Sequence, residues 1–217
     1  MEQEILNSYS KLNSLNVSRE TFSDFESFIS MIIERNKSMN IISQKTAKDS
    51  SIRERHIVDS AQIIDFVDLN YNTTTDLGTG GGMPGIIIAI MLKNMKKDIK
   101  VHLYEKSHHK SAFLREVSKK LKLKTEIIQE NIFDMKKIET GTIMSRAFKP
   151  MPVVLDLVYK NFLKYKNLIF FMGNNGKKIF ENSLMNWDLD YTEKKSLTNE
   201  GSFLLNIKNI KKKIKKN

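Results

Sequence analysis

Cysteine is absent from the 217 residues, which excludes disulfides, thiolate metal sites and thiol nucleophiles in one step. No apolar run approaches the ~20 residues that span a bilayer. The first residues, M-E-Q-E-I-L-N-S, include acids where a secretory signal would be basic, so the sequence predicts a cytoplasmic protein. Only three prolines and nine glycines interrupt the chain, no segment repeats, and no Gly/Ser-rich linker divides it. A length of 217 residues then supports one good core with a small extension. Arginine is scarce too: Arg19, Arg35, Arg53, Arg55, Arg115 and Arg146 are the only six among 36 basic residues.

What is abundant is lysine. The formal net charge of +11 suits an anionic partner such as nucleic acid. Lysine, asparagine and isoleucine are enriched together, as AT-rich codon usage produces. Much of the charge is therefore assigned to solvated faces, and the arginines are the more telling cations. The run K-K-K-I-K-K-N at residues 211–217 reads as a frayed basic tail that can touch RNA phosphates without reading sequence.

The most specific segment is D-L-G-T-G-G-G-M-P-G, residues 76–85. The β-branched run Thr73, Thr74 and Thr75 leads into it, and an apolar run over 86–92 follows. Strand, glycine turn and buried helix is how an α/β protein brings its backbone against a nucleotide-like ligand. Gly78, Gly80 and Gly82 lack Cβ, so the turn can be sharp and the approach close. Pro84 suits a first helical turn, where a missing N–H costs nothing. A glycine turn can exist without a ligand, but here the strand and helix lie where a binding loop requires them. A dinucleotide fingerprint needs glycine at its first, third and sixth positions. Counted from Gly78 the sixth is Met83, and glycine falls instead at the first, third and fifth, two residues after an acid. That spacing resembles the first motif of class I methyltransferases that use S-adenosylmethionine. Next, K-V-H-L-Y-E reads as a second parallel strand ending on Glu105, 27 residues after Gly78. A carboxylate at that strand end accepts hydrogen bonds from both hydroxyls of a ribose.

Residues 1–70 read as helical. Ser18 is a plausible N-cap for a helix whose Phe22, Phe25, Phe28, Ile29, Ile32 and Ile33 form a core-facing stripe, and a second helix is predicted over 51–66. Strands are predicted at 73–77, 101–105, 125–129, 142–146 and 168–172, with helices between them at 85–93, 110–121 and 152–161. The alternation predicts an α/β fold: a Rossmann-like, mostly parallel sheet covered on both faces. Two β-like runs, 187–196 and 202–210, joined by the turn signal T-N-E-G, predict a terminal antiparallel hairpin. The expected organisation is a helical extension (1–70), a cofactor-binding core (71–210) and the basic tail (211–217), forming one compact unit.

Four signals in order carry a closer resemblance: Asn36-Lys37-x-x-Asn40, Arg55-His56-x-x-Asp59-Ser60, G-T-G-G-G-M-P-G, and Ser145-Arg146-Ala147-Phe148. Together they resemble the bacterial 16S ribosomal RNA guanine-N7 methyltransferase family (RsmG, also called GidB), over residues 22–208. The resemblance implies the class I methyltransferase fold, S-adenosylmethionine as cofactor, and 16S ribosomal RNA or the small subunit as partner. Gly78, Gly80, Gly82 and Met83 would meet the cofactor from the loop, Glu105 would hold its ribose, and Arg146 would stand at the cofactor and substrate cleft as the catalytic residue. Ile132 and Phe133 would flank the adenine; on sequence alone, ordinary packing explains them equally well. Arg55, His56 and Asp59 share a helical face and carry two readings, a network docking the N-terminal helices onto the sheet or a surface shaping the RNA entrance. One His with one Asp makes too few ligands for a metal, and His108 and His109 are read as part of a solvated loop or helix start. The chain departs from the family in Glu105, where Asp is usual, and in Ile41-Ile42-Ser43, where Leu-Thr is more usual. It departs again in Met172, where a Lys often precedes the glycine after the fifth strand, so Lys177 or Lys178 is the expected substitute.

Guanine N7 has an exposed lone pair and no proton, so its methylation needs no general base. That suits a chain without an obvious acid–base dyad. The absent cysteine excludes methylation of pyrimidine carbon 5 through a thiol adduct. S-R-A-F-K-P also stands where enzymes methylating exocyclic amines carry N/D-P-P-Y/F. Two rival readings are an RNA-binding protein with a vestigial cofactor fold and a small-molecule methyltransferase. No metal and no membrane are expected, and a monomer is the default.

Overall fold

The computed structural model describes residues 7, 9–15, 17–44 and 49–213. After a 3-10 turn at Ser10–Leu15 comes helix α1 (Arg19–Asn36). The Ser18 side chain accepts from Thr21 N at its start, and Phe25, Phe28, Ile29 and Ile32 are buried along one face. Helix α2 spans 49–61 and is not regular. Its middle, Arg53–Val58, is a π-helical turn, and a separate 3-10 turn follows at Ile64–Phe66. The single helix expected over 51–66 is thereby broken into these turns.

From residue 73 the chain alternates: β1 (Thr73–Leu77), α3 (Gly85–Asn94), β2 (Lys100–Tyr104), α4 (His108–Lys120), β3 (Thr125–Ile128), β4 (Ile138–Glu139), β5 (Thr142–Ser145), α5 (Met151–Asn161), β6 (Phe162–Lys164), β7 (Asn167–Met172), α6 (Gly176–Leu184), β8 (Trp187–Lys195) and β9 (Phe203–Lys212). A seven-stranded sheet has the order β3-β2-β1-β5-β7-β9-β8, and β4 pairs with β6 apart from it. The pairs among β1, β2, β3, β5 and β7 are all parallel, while β9 runs antiparallel between β7 and β8. This is the Rossmann-like sheet with a terminal hairpin that the alternation predicts.

Both sheet faces are covered, so the inner strands β5 and β7 are buried on both sides. Met144, Ile169 and Leu204 join the core formed with α1, α2, α3 and α4. Their neighbours Ile143, Leu168, Phe170 and Leu205 join the core on the opposite face, with α5 and α6. The period-two alternation of a strand assigns each residue to its layer. Three elements escape the pattern reading. β4 and β6 are two and three residues long, and α6 presents only Phe180 as a large buried side chain. Residues 211–212, expected in a frayed tail, instead continue β9, and Lys213 N donates to Asn186 O at 2.9 Å. Residues 214–217 of that tail lie outside the described residues.

Candidate active site

β1 stands where the strand order reverses, with β2 and β3 on one side and β5 and β7 on the other. In open α/β sheets a crevice forms there, beyond the carboxyl ends of the strands. The glycine loop leaves β1 at this point. Gly78, Gly80 and Gly82 adopt φ of +64°, +59° and +100°, which side chains with a Cβ disfavour. Their surroundings differ. A Cβ on Gly80 would meet only Gly78 O, at 3.9 Å, so that position opens on free space. A Cβ on Gly78 would stand 2.1 Å from Phe148 Cδ2, so the Phe148 ring lies against the bare α-carbon. A Cβ on Gly82 would press on Ile86 Cγ1 at 2.7 Å and Leu114 Cδ2 at 3.0 Å, within the helix packing.

A cavity of about 530 Å³ occupies the crevice. Gly78 and Gly80 form part of its wall after β1, Glu105 after β2, Ile132 and Phe133 after β3, and Ala147 to Lys149 after β5. Five predicted residues thus converge: Gly78, Gly80, Glu105, Ile132 and Phe133. Three do not line this cavity. Gly82 serves helix packing, Met83 is 8% exposed with its methyl beneath Gly81, and Arg146 turns toward α2. Glu105 Oε2 accepts from Gly80 N at 3.0 Å and Oε1 from Ser107 N at 2.7 Å, which ties the glycine loop to the start of α4. One lone pair on each oxygen remains for a ligand hydroxyl.

Beneath the loop, Asp76 is 1% exposed and its Oδ2 accepts from Gly85 N at 2.8 Å, pinning the start of α3 to β1. Burial pushes its carboxyl up to about 6. The Gly85 N–H and the charge of Arg146 offset this only in part. Thr79 Oγ1 lacks hydrogen-bonding geometry to the carboxylate. The loop has a second support on its outer side. The Asn36 amide accepts from Ile41 N at 2.7 Å and Ile42 N at 3.1 Å, and holds Ile41 where a Cβ on Gly81 would touch it. That contact is a physical reason for the Asn36 motif, which spacing alone did not supply.

Arg146 joins two of the sequence motifs. Its Nη2 donates to Arg55 O at 2.6 Å, its Nε lies 3.1 Å from Asp59 Oδ2, and its guanidinium stands 5.7 Å from the Phe171 ring centroid. Asp59 Oδ1 also accepts from Gln62 Nε2 at 2.8 Å and Thr198 Oγ1 at 2.9 Å, while Gln62 Oε1 accepts from Leu197 N at 2.8 Å. One network therefore fastens α2, the end of β5 and the β8–β9 turn. A smaller cavity of about 260 Å³ lies beside it, with Asp59 and Arg146 in its wall. His56 is half-buried here, and burial, with the charges of Arg146 and Arg55, pulls its imidazole down to about 4. It is neutral at neutral pH. Lys177, a candidate RNA contact, stands 3.5 Å from Glu193 and over the Phe203 ring, and both it and Lys178 are exposed.

Sequence reading missed Phe148, which covers Gly78 and stacks on Phe133 at 6.1 Å. It also missed Asn161, whose amide donates to Phe133 O at 3.0 Å and Met135 O at 2.6 Å and so fixes the turn that presents Phe133. Phe148 stands inside the Ser145–Phe148 motif, so its position carried a signal. Asn161 gave no local signal.

A further cavity of about 420 Å³ opens beyond β5 and β7, with an apolar floor including Met151, Phe170 and Ile179 and with Asn174 and Asn175 in its wall. Among the described residues, no group of three or more metal-ligating side chains could hold an ion, and no helix is long and apolar enough to cross a membrane.

The family profile described as rRNA small subunit methyltransferase G (GidB) matches residues 21–207. A ribosomal RNA small subunit methyltransferase G of Pelagibacter ubique (strain HTCC1062) is 66% identical over 211 residues, covering 97% of this chain and 99% of that one. Another, from Bartonella tribocorum (strain CIP 105476 / IBS 506), is 33% identical over 215 residues, 97% of this chain and 99% of its own. Among solved structures, a SAM dependent methyltransferase from Aquifex aeolicus aligns with TM-score 0.55 at 14% identity, over 75% of this chain and 95% of its own. The 16S rRNA methylase RmtB aligns with TM-score 0.52 at 10% identity, over 88% and 75%. At such identities the likeness to the solved structures is one of fold. The profile and the sequence relatives settle kinship: the chain belongs to the rRNA small subunit methyltransferase G family.

Proposed function

We propose that the 530 Å³ cavity holds S-adenosylmethionine, between the Gly78–Gly80 backbone, the Glu105 carboxylate and the Ile132–Phe133 turn. The chain, as a member of its family, is an S-adenosylmethionine-dependent methyltransferase that acts on guanine N7 in 16S ribosomal RNA. The fit rests on one observation above the others. A glycine with open space beside it, a carboxylate at the next strand end and an apolar turn after the third strand face one crevice at the switch point.

The cofactor, when bound, supplies an electrophilic methyl carbon on a sulfonium. Guanine N7 carries no proton, so accepting that methyl would leave the base cationic and would ask no residue of this chain to act as a base. The residues therefore position the reactants and exclude water, and orientation alone can supply ~7–11 kcal/mol of barrier lowering. Neither His56 nor Asp76 is needed as a base. In this reading Arg146 is a positioning residue: its bonds to Asp59 and Arg55 O hold the 145–150 loop. The partner is 16S ribosomal RNA, free or within the small subunit, so the protein works in the cytoplasm.

The test is methyl transfer from labelled S-adenosylmethionine to small subunits from cells lacking the enzyme, with nucleoside mass spectrometry of the RNA. New 7-methylguanosine, absent with Gly78→Val, is the expected result. Cofactor binding without transfer to this RNA would point to another acceptor, and no cofactor binding would leave only an RNA-binding role.

A further inference from the structure

Among the described residues, four other than glycine have positive φ: Lys96, Lys122, Lys137 and Ala147. Lys96 and Lys122 follow the ends of α3 and α4, where a left-handed residue routinely terminates a helix. Lys137 lies in the turn before β4. Ala147, at φ +50°, ends no helix; it lies just past the end of β5. It is also the one residue in the walls of all three cavities just described, the 530, 420 and 260 Å³ spaces.

Its neighbours explain how that backbone is held. Arg146 is fastened to Asp59 and Arg55 O on one side. Phe148 is set against Gly78 and Phe133 on the other. A disfavoured conformation persists where its surroundings over-determine it, and such residues gather at functional sites. Two large side chains thus grip opposite sides of the loop, and the residue between them carries a single methyl group, exposed at the junction.

We propose that Ala147 is the aperture between the cofactor cavity and the acceptor cavity, and that its small side chain sets how closely the acceptor guanine can approach. This rests on the proposed function. The acceptor cavity is assigned to the 420 Å³ space because it shares both Ala147 and Lys149 with the cofactor cavity. Its apolar floor suits the faces of a base, and the amides of Asn174 and Asn175 offer donors and acceptors to a base edge. The 260 Å³ space shares Ala147 alone, and its charged residues already pair with each other.

Bulk and backbone strain are separable at this position. Asparagine tolerates left-handed φ but carries bulk, whereas valine carries bulk and tolerates it poorly. The probe is a bisubstrate adduct in which guanine N7 is tethered through one carbon to the sulfur position of the cofactor. In Ala147→Asn, the Tm is expected to stay at the wild-type value, and the Kd for S-adenosylmethionine to rise several-fold less than the Kd for the adduct, because Ala147 is one of many residues in the cofactor wall. The Kd for the adduct should rise at least tenfold, and single-turnover methyl transfer should fall by at least the same factor. Ala147→Val should match Ala147→Asn in transfer while melting lower. An Ala147→Asn enzyme that binds the adduct and transfers methyl like wild type would overturn the inference alone. A wild type that binds S-adenosylmethionine but makes no 7-methylguanosine would overturn the proposed function, and this inference with it.

Discussion

The two sides of the 145–150 loop are built from different materials. Toward the large cavity the site is mostly backbone: a glycine turn, a strand end and a turn held by Asn161. Toward α2 it is long side chains, with Arg146, Asp59, Gln62 and Thr198 meeting across more than 130 residues of sequence. The first kind of construction is set chiefly by backbone conformation, with Phe148 and Asn161 holding it from other elements. The second exists only once distant elements have docked, and it should respond to mutation through position rather than through cofactor affinity.

The largest effect that could break this contrast belongs to Gly78. Its φ of +64° and the Phe148 ring, which a Cβ there would approach to 2.1 Å, leave no room for a side chain, and Thr79 N is tied to Tyr104 O at 3.0 Å. Gly78→Ala is expected to weaken cofactor binding by at least ~100-fold, about 3 kcal/mol, in titration calorimetry. Adding Phe148→Gly should recover part of the loss by removing the clash while leaving the φ strain. Normal binding by Gly78→Ala alone would mean that the loop yields freely and is not preformed.

Arg146→Ala tests the other side. It strands the Asp59 carboxylate, whose side chain is only 17% exposed, so a stability loss of about 1–3 kcal/mol is expected. Methyl transfer should drop roughly 10–100-fold through misplacement of the loop, with the cofactor Kd within about twofold of wild type. Arg146→Lys should restore little, because an ammonium cannot span Asp59 and Arg55 O as the guanidinium fork does. A cofactor Kd that rises as steeply as transfer falls would place Arg146 at the cofactor after all.

This division also marks what the sequence could convey. Glycine spacing, strand alternation and an acid at a strand end are local signals. The sheet, the loop and the convergence of Gly78, Gly80, Glu105, Ile132 and Phe133 were accordingly legible. The partners of Arg146 were not, since Asp59 and Thr198 are neighbours only in the folded chain. Gly82 and Met83 were assigned to the ligand because their motif is read as one string, although Gly82 serves the packing of Ile86 and Leu114. The π-helical turn in α2 was invisible because the apolar spacing around it still suits an ordinary helix.

Asp76 sharpens the comparison by pH. Its folded pKa, about 6, lies above the ordinary 3.8, so the folded state binds the proton more tightly. The associated stability is fully present below about pH 4 and is lost as pH rises through 6. Asp76→Asn keeps an acceptor for Gly85 N–H without the charge. It should be more stable than wild type by about 1–3 kcal/mol at pH 7.5, with no gain at pH 4, in urea denaturation. An equal gain at both pH values would trace the effect to packing instead of charge.

The smallest effect concerns Glu105. Its carboxylate reaches Gly80 N on one side and Ser107 N on the other, at 3.0 and 2.7 Å. The bond to Ser107 is local, two residues along the chain. The bond to Gly80 crosses from the end of β2 to the glycine loop and needs the full length of the side chain. Glu105→Asp is one methylene shorter, so the Gly80 bond is the one it gives up. One hydrogen bond is worth about 1 kcal/mol net, and Tm should fall by the few degrees that corresponds to. Cofactor affinity should change less than about threefold, because a shorter carboxylate at the same strand end still faces the cavity. Crystallography of the variant with S-adenosylhomocysteine would show whether Gly80 N then bonds to water or to the ligand. A large affinity loss with Gly80 N still paired to the carboxylate would move the value of Glu105 from holding the loop to holding the ligand.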